Sequence, residues 1–312
     1  MSAFKVLQPG LLTLIQDAGR FGQHRIGLTN GGPLDARAFN WANRLCQNPL
    51  NSSTLEISIG GLALEAQTQT YIAVTGAQIP LKINGREANM WQTIKIAEGD
   101  KIEFGFATAG SRAYLAVSNG FDVEHSFTST STVARESIGG LAGTKLQQGD
   151  VLLCRRVENA PLLALPTAEI PSYLEEIKLR VILGYQHHSF DKVQQQLFFS
   201  SQYQLSDKMD RMGFRLQGQE VKSTISGMLS EGICHGAIQV PADGQPIVLL
   251  NDRQTIGGYP KIGSVIALDT AKLAQLMPGN KVHFEQITIE DAHNINHLEN
   301  LRDNSIELID LS

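Results

Sequence analysis

Tyr71-Ile-Ala-Val-Thr75, Leu81-Lys-Ile83, Asn84-Gly85, Ile94-Lys-Ile96 and Glu98-Gly-Asp-Lys-Ile-Glu-Phe104 follow one another in a stretch with no helical period. Short β-branched and aromatic runs between glycine and asparagine turns read as strands. Asparagine followed by glycine tolerates positive φ at both positions, which favours a two-residue hairpin and places a tight turn within residues 80–95. Outward from this stretch, Arg112-Ala-Tyr-Leu-Ala-Val117 adds another run. The phrase turn, Gly, Asp or Asn, strand recurs at Gln148-Gly-Asp-Val-Leu-Leu153 and at Pro278-Gly-Asn-Lys-Val-His-Phe284. Such punctuation opens strands in barrels and sandwiches. The fold is predicted to be mainly β, with short accessory helices. One covers Leu34–Cys46, with Pro33 in its first turn; another covers Thr270–Met277, with Asp269 as N-cap and Pro278-Gly279 as its stop.

The chain has 312 residues, 42% of them hydrophobic, and a formal net charge of -5 with acids and bases interspersed. That is enough for two domains and offers no basic face to nucleic acid or membrane. The N-terminal Met1-Ser-Ala-Phe-Lys5 lacks a signal-peptide pattern, and no apolar run approaches the ~18 residues of a membrane span, so a cytoplasmic protein is expected. Cys46, Cys154 and Cys234 have no paired spacing and are expected to be buried free thiols. Three prolines in Glu158–Pro171 mark a linker. They divide the chain into an N-terminal β subdomain (1–165), a C-terminal one (166–290) and a polar tail (291–312), either helical or mobile. An echo between Asp17–Gly27 and Asp207–Gly218, both D…R-[FM]-G…R-[IL]…G, hints at duplication.

GxGxxG, GxxxxGK[ST], HExxH and GxSxG motifs are absent, which disfavours dinucleotide, P-loop, zincin and α/β-hydrolase chemistry. His187 and His188, read as strand neighbours, would point to opposite faces, so no metal site is assigned. Three segments are unusually polar and glycine-rich. In the first, Gln16, Asp17, Arg20, Asp35 and Asn43 surround Gly19, Gly22 and Gly31-Gly32. They form either an anion site or a set of turns in which Arg20 pairs with Asp17. In the second, Arg211 either binds an anion or neutralises Asp207 or Asp210. In the third, the run Ile247-Val-Leu-Leu250 delivers Asp252, Arg253, Gln254 and Thr255 into Gly257-Gly258-Tyr259, with Gln239 upstream. Polar groups at strand ends commonly line sites; the alternative is a turn in which Asp252 caps local N–H groups and Arg253 is solvated.

Pro9-Gly10, Thr13, Gln16-Asp-Ala-Gly-Arg20, Asp35, Asn43, Asn48-Pro49, Leu55-Glu56, Tyr114-Leu-Ala-Val117, Ser131-Thr132, Gly139-Gly140, Gly149-Asp150, Asp210–Leu216, Gln239-Val-Pro241 and Asp252–Pro260 stand in order over residues 3–290. By these motifs the chain resembles the family that holds the C subunit of 5-oxoprolinase and allophanate hydrolase subunit 2, of the biotin-dependent carboxyltransferase type. The resemblance implies two cyclophilin-like β-barrel subdomains. It implies a chain inactive alone that works with 5-oxoprolinase subunits A and B, using ATP with Mg²⁺ at the level of the complex, to open the lactam of 5-oxo-L-proline to L-glutamate. It makes Asp252, Arg253 and Arg211 the catalytic candidates: Arg20, Arg211 and Arg253 to hold phosphate or the substrate carboxylate, Asp252 as base or metal contact. Gln16, Asp17, Asp35, Asn43, Gln239, Gln254, Thr255, Gly257, Gly258 and Tyr259 are the remaining substrate or anion candidates. Two other readings stay open. One is carboxyl transfer from carboxybiotin to urea or an amide, with biotin on a separate carrier because the chain has no Ala-Met-Lys-Met site. The other is a regulatory subunit of a kinase-inhibitor pair.

Overall fold

The recurrent glycine turn has one physical form in all three places. In the computed structural model, which describes residues 3–225 and 228–311, Asp100 Oδ2 accepts the Ala97 N–H (2.7 Å), Asp150 Oδ2 that of Gln147 (2.7 Å) and Asn280 Oδ1 that of Met277 (2.8 Å). The intervening Gly99, Gly149 and Gly279 have φ of 88°, 92° and 92°. Each turn launches a strand: Lys101–Phe104, Val151–Leu153 and Lys281–Ile287. The Asn84-Gly85 turn also forms as expected, with φ of 53° and 77°, pairing Ile83 with Arg86 and Leu81 with Ala88. Met1 and Ser2 of the N-terminal reading and Ser312 of the tail lie outside the described residues.

The chain is mainly β and divides into two compact units. The first holds residues up to Gly22, Asn30–Tyr173 and everything from Glu307; the second holds Gln23–Thr29 and Leu174–Ile306. The division thus falls just past the proline-rich stretch that ends at Pro171.

In the first unit a six-stranded sheet runs in the order Val151–Leu153, Ala3–Pro9, Leu62–Ala66, Lys101–Phe104, Leu81–Ile83, Arg86–Ala88. A five-stranded sheet runs Leu12–Gln16, Thr54–Ser58, Ala109–Val117, Thr70–Gln78, Thr93–Ile96. Both contribute to one core, including Phe4, Val6 and Leu64 from the first sheet and Ile57, Val74 and Leu115 from the second. Each such fully buried side chain contributes roughly 1.5–3 kcal/mol of transfer free energy. Helix α1 (Ala36–Leu45) packs on the five-stranded sheet through Ala38, Phe39, Trp41, Ala42 and Leu45. Thr75 and Thr93 of that sheet donate to the carbonyls of Ala38 and Leu45, each at 2.6 Å.

The second unit is built on a closed barrel in the order Glu176–Leu183, Lys261–Val265, Ala237–Gln239, Ile247–Leu249, Gly213–Gln217, Tyr203–Met209, Lys281–Ile287. The first and last of these strands close it in parallel; the other pairs are antiparallel. A two-stranded ribbon, Glu231–Gly232 with Ile256–Gly257, lies outside the barrel ladder. Helix α2 (Lys192–Ser200), which sequence periodicity did not reveal, is capped by Asp191 and stacks Phe198 on Phe284, ring centroids 4.3 Å apart.

Helix α3 (Ala267–Ala274) starts earlier than expected, with Ile266 rather than Asp269 at its N-cap. Asp269 is fully buried and accepts from Arg180 N, Nε and Nη2 at 2.7–2.8 Å, so its carboxylate is committed to a neighbouring strand. Helix α4 (Ile289–Ser305) begins at a Thr288/Asp291 capping box and buries only Ala292. Three further expectations are corrected. His187 and His188 sit in a 3-10 turn rather than a strand, because His187 N–H bonds back to the Gly184 carbonyl. Cys234 is exposed, its Sγ 3.1 Å from Ser264 Oγ, whereas Cys46 and Cys154 are buried. The Asp17/Asp207 echo has no shared structure: 207–217 is a strand-turn-strand, and 17–27 is a loop ending in a 3-10 turn. Among the described residues no helix is long and apolar enough to cross a membrane.

Candidate functional site

The candidate residues fall into two groups, one in each unit. In the first unit the strand Leu12–Gln16 delivers Asp17 into a loop. Its carboxylate accepts from Ser129 Oγ and Ser131 Oγ (2.6 Å each), Thr130 N (2.7 Å) and Gly19 N (2.9 Å). Burial alone would raise its pKa, but these hydrogen bonds outweigh burial and hold it below the usual carboxylate value. Arg20, fully buried, donates from Nε to the Ser126 carbonyl (3.0 Å) and from Nη2 to that of Ser131 (3.1 Å). Gln16 clips the same segments together, donating to the Thr132 carbonyl and accepting from Gly32 N.

Asp35 caps α1 by accepting from Ala38 N (3.0 Å), and its own N–H donates to Tyr114 Oη (2.8 Å). Tyr114 in turn donates to Glu56 Oε2 (2.7 Å), which also accepts from Leu34 N (2.9 Å). Burial first, then the charges of Glu56 and Asp35, push the phenol pKa well up, so Tyr114 stays a donor. Asn43, fully buried, accepts from Asn48 Nδ2 and donates to the Ser52 carbonyl. This group therefore fixes the start of α1 and the loops beside it.

In the second unit Arg211, from the turn between Tyr203–Met209 and Gly213–Gln217, grips Asp252 fork to fork. It neutralises neither of the sequence-near acids, because Asp210 Oδ1 is turned to Met212 N and Gly213 N and Asp207 is exposed. Arg253 is only 6% exposed rather than solvated, donating to the carbonyls of Ile233 (3.2 Å) and Leu250 (3.3 Å). Burial, then the charge of Arg253, drive the His235 pKa down to about 4. The ring is thus neutral at pH 7, with Nε2 3.1 Å from Asn251 Oδ1.

Strand register places Gln239 toward the opposite end of these short strands from the Arg211 turn. Gln239 pairs with Ile247 and Lys261, whereas Gly213, next to the Arg211 turn, pairs with Leu249. The segment 250–260 runs from one end to the other. Ala237, Leu249 and Ile247 share a face of the wall with Ile233, which leads out of the ribbon. On that side the tip of Gln239 lies against Gly257, whose Cβ, if present, would be 2.8 Å from Gln239 Nε2. Gln254 and Tyr259 are exposed; Thr255, Gly257 and Gly258 are half-buried.

Next to Gln239 is a cluster that no sequence motif singled out. Lys261 Nζ forms an ion pair with Glu231, and Tyr185 Oη and Gln186 Nε2 also donate to the Glu231 carboxylate. Gln186 Oε1 accepts the Lys261 N–H at 2.8 Å. Lys261 directly follows the Gly257-Gly-Tyr-Pro260 motif and pairs in register with Gln239, which was the available signal. Glu231 stands in the same polar, glycine-rich segment, Ser230–Lys261, whereas Gln186 had no such signal, since only the folded ribbon and barrel bring it there.

Residues 26–286 match the carboxyltransferase domain family, subdomains A and B. The chain belongs to this family. It is 37% identical over 289 residues to the C subunit of 5-oxoprolinase from Escherichia coli (strain K12), covering 92% of each chain. It is 34% identical over 280 residues to the C subunit of 5-oxoprolinase from Haemophilus influenzae, covering 89% of each. The solved Kluyveromyces lactis urea carboxylase superposes with a TM-score of 0.89 at 30% identity, over 96% of this chain but 28% of that one.

Proposed function

We propose that this chain is a subunit of an ATP-dependent 5-oxoprolinase, which converts 5-oxo-L-proline to L-glutamate, and that it is inactive without partner chains equivalent to subunits A and B. The observation that carries this reading is near-full-length likeness to two proteins named as the C subunit of 5-oxoprolinase, at 37% and 34% identity. The chemistry requires help because a lactam is resonance-stabilised: water opens it only once its carbonyl is activated, and ATP supplies that activation.

Among the described residues the three candidate arginines are engaged in hydrogen bonds within the chain. Arg20 and Arg253 donate to main-chain carbonyls and Arg211 to Asp252. ATP with Mg²⁺ is therefore assigned to the assembly, and no step of nucleotide chemistry to these guanidiniums. Arg211 and Asp252 are read as positioning residues that hold the 250–260 segment, whose backbone is also tied to the turn through Leu250 N to Met212 O and Asp252 N to Arg211 O. Asp17, Arg20, Gln16, Asp35 and Asn43 hold the loops of the first unit in the same way.

The likeness to urea carboxylase favours one second reading, carboxyl transfer to an amide with biotin on a separate carrier. The two separate in one assay of the assembled complex. Glutamate released from 5-oxoproline and ATP without bicarbonate or a biotinylated carrier supports the first; turnover that requires both supports the second.

A further inference from the structure

Two hydrogen-bond donors, Tyr185 Oη and Gln186 Nε2, and one ammonium, Lys261 Nζ, which pairs by charge without a formed hydrogen bond, converge on the Glu231 carboxylate, and they differ from it in origin. Lys261 opens a barrel strand, and Tyr185 and Gln186 lie in the turn after the adjacent strand Glu176–Leu183; Glu231 comes from the two-residue ribbon laid against the wall. Lys261 and Gln186 are only 8% and 4% exposed. A lysine so deeply placed requires a counter-charge. Gln186 is fixed at its other end by the Lys261 N–H, which leaves Nε2 for the carboxylate. The donors are thus arranged in advance around one carboxylate position. Beside them Gln239, 4% exposed, has an Nε2 with no hydrogen-bond partner among the described residues. A buried amide donor without an acceptor is unfavourable unless a ligand supplies one.

We propose that Lys261, Gln186 and Tyr185 form a recognition site for a small-molecule carboxylate, that Glu231 fills it as an internal surrogate, and that the ligand displaces Glu231 and offers an acceptor to Gln239. Naming that ligand as 5-oxo-L-proline rests on the function proposed above; the preference for a carboxylate does not. The ribbon is anchored at Ile233, whose N–H donates to the Thr255 carbonyl, but its Glu231 end is suited to yield, since only two ladder pairs extend it and Gly232, Gly257 and Gly258 flank the contact.

The test is calorimetric titration of the full chain with 5-oxoproline, its neutral parent 2-pyrrolidinone, and glutarate. Glu231→Gln removes the competing carboxylate and is expected to bind 5-oxoproline at least ~10-fold more tightly than the unaltered chain. Lys261→Met is expected to bind it at least ~10-fold more weakly, and Tyr185→Phe, at an exposed position, a few-fold more weakly. Affinity for 2-pyrrolidinone should be indifferent to all three. Glu176→Gln, which removes the same charge at an exposed ion pair with Lys281, should change nothing. A purely structural ion pair would make Glu231→Gln bind neither 5-oxoproline nor glutarate better than the unaltered chain, and that result overturns the proposal. So does equal binding by the unaltered chain and by both Lys261→Met and Tyr185→Phe. If Glu231→Gln tightens glutarate but not 5-oxoproline, the carboxylate site stands and the 5-oxoprolinase reading loses its ligand here.

Discussion

Arg211 and Asp252, 41 residues apart, meet through two parallel hydrogen bonds, Nε to Oδ2 at 2.9 Å and Nη2 to Oδ1 at 3.0 Å, with side chains only 6% and 7% exposed. Such a pair offsets its own desolvation, but either member alone is a buried uncompensated charge. Asp252→Ala is therefore expected to cost about 3–5 kcal/mol in urea denaturation, and Arg211→Met combined with Asp252→Leu to restore most of that. A loss below about 1 kcal/mol for Asp252→Ala would show that the pair does not hold the segment.

His235 gives a pH signature. Its folded pKa of about 4 lies below the ordinary 6.5. The unfolded chain thus binds the proton more readily, and the stability held by the neutral ring is complete above pH 6.5 and lost as pH falls toward 4. His235→Gln keeps a donor for Asn251 without the titration. The stability difference between the unaltered chain and this variant should shrink as pH is lowered through that window; a constant difference contradicts the assignment.

Asp17 runs the other way in chemistry, though acid again removes stability. Its folded pKa is lowered from 3.8, so its ionisation stabilises the fold above that value, and this contribution is lost as pH falls through the lower folded pKa. In Asp17→Asn an amide N–H would face the Thr130 N–H if the oxygen kept its serine donors. The expected cost is about 2–3 kcal/mol at pH 7, falling in strong acid, read from denaturation midpoints at several pH values.

Two glycines separate backbone need from side-chain space. A Cβ on Gly139, at φ 76°, would lie 2.0 Å from the Ser131 carbonyl oxygen that receives Arg20. Gly139→Ala should cost about 3 kcal/mol or more. A Cβ on Gly257 would meet only the movable ends of Ile233 and Gln239, at 2.6 and 2.8 Å. Gly257→Ala should then cost less than about 1 kcal/mol, both costs being read from thermal melts.

Local chemistry was legible in the sequence wherever one turn sufficed. The Asn84-Gly85 hairpin and the Gly99, Gly149 and Gly279 turns follow from residues within a few positions of one another. What failed depended on partners far along the chain. Asp269 looks like an N-cap until Arg180, 89 residues away, claims its carboxylate. Arg211 looks like a partner for Asp207 or Asp210 until register brings Asp252 to it. The Asp252–Tyr259 motif leads directly to Lys261, but the groups around Glu231 are assembled by the pairing of Gln239 with Lys261 and by the ribbon, which motif spacing does not encode.

The most direct measurement is the release of glutamate and ADP from 5-oxo-L-proline and ATP by the reconstituted assembly of this chain with its partner chains, with and without this chain. Coupled release is expected, abolished when this chain is omitted and absent when it is assayed alone. A correctly assembled complex that forms no glutamate, or one that forms it equally well without this chain, would contradict the proposed function.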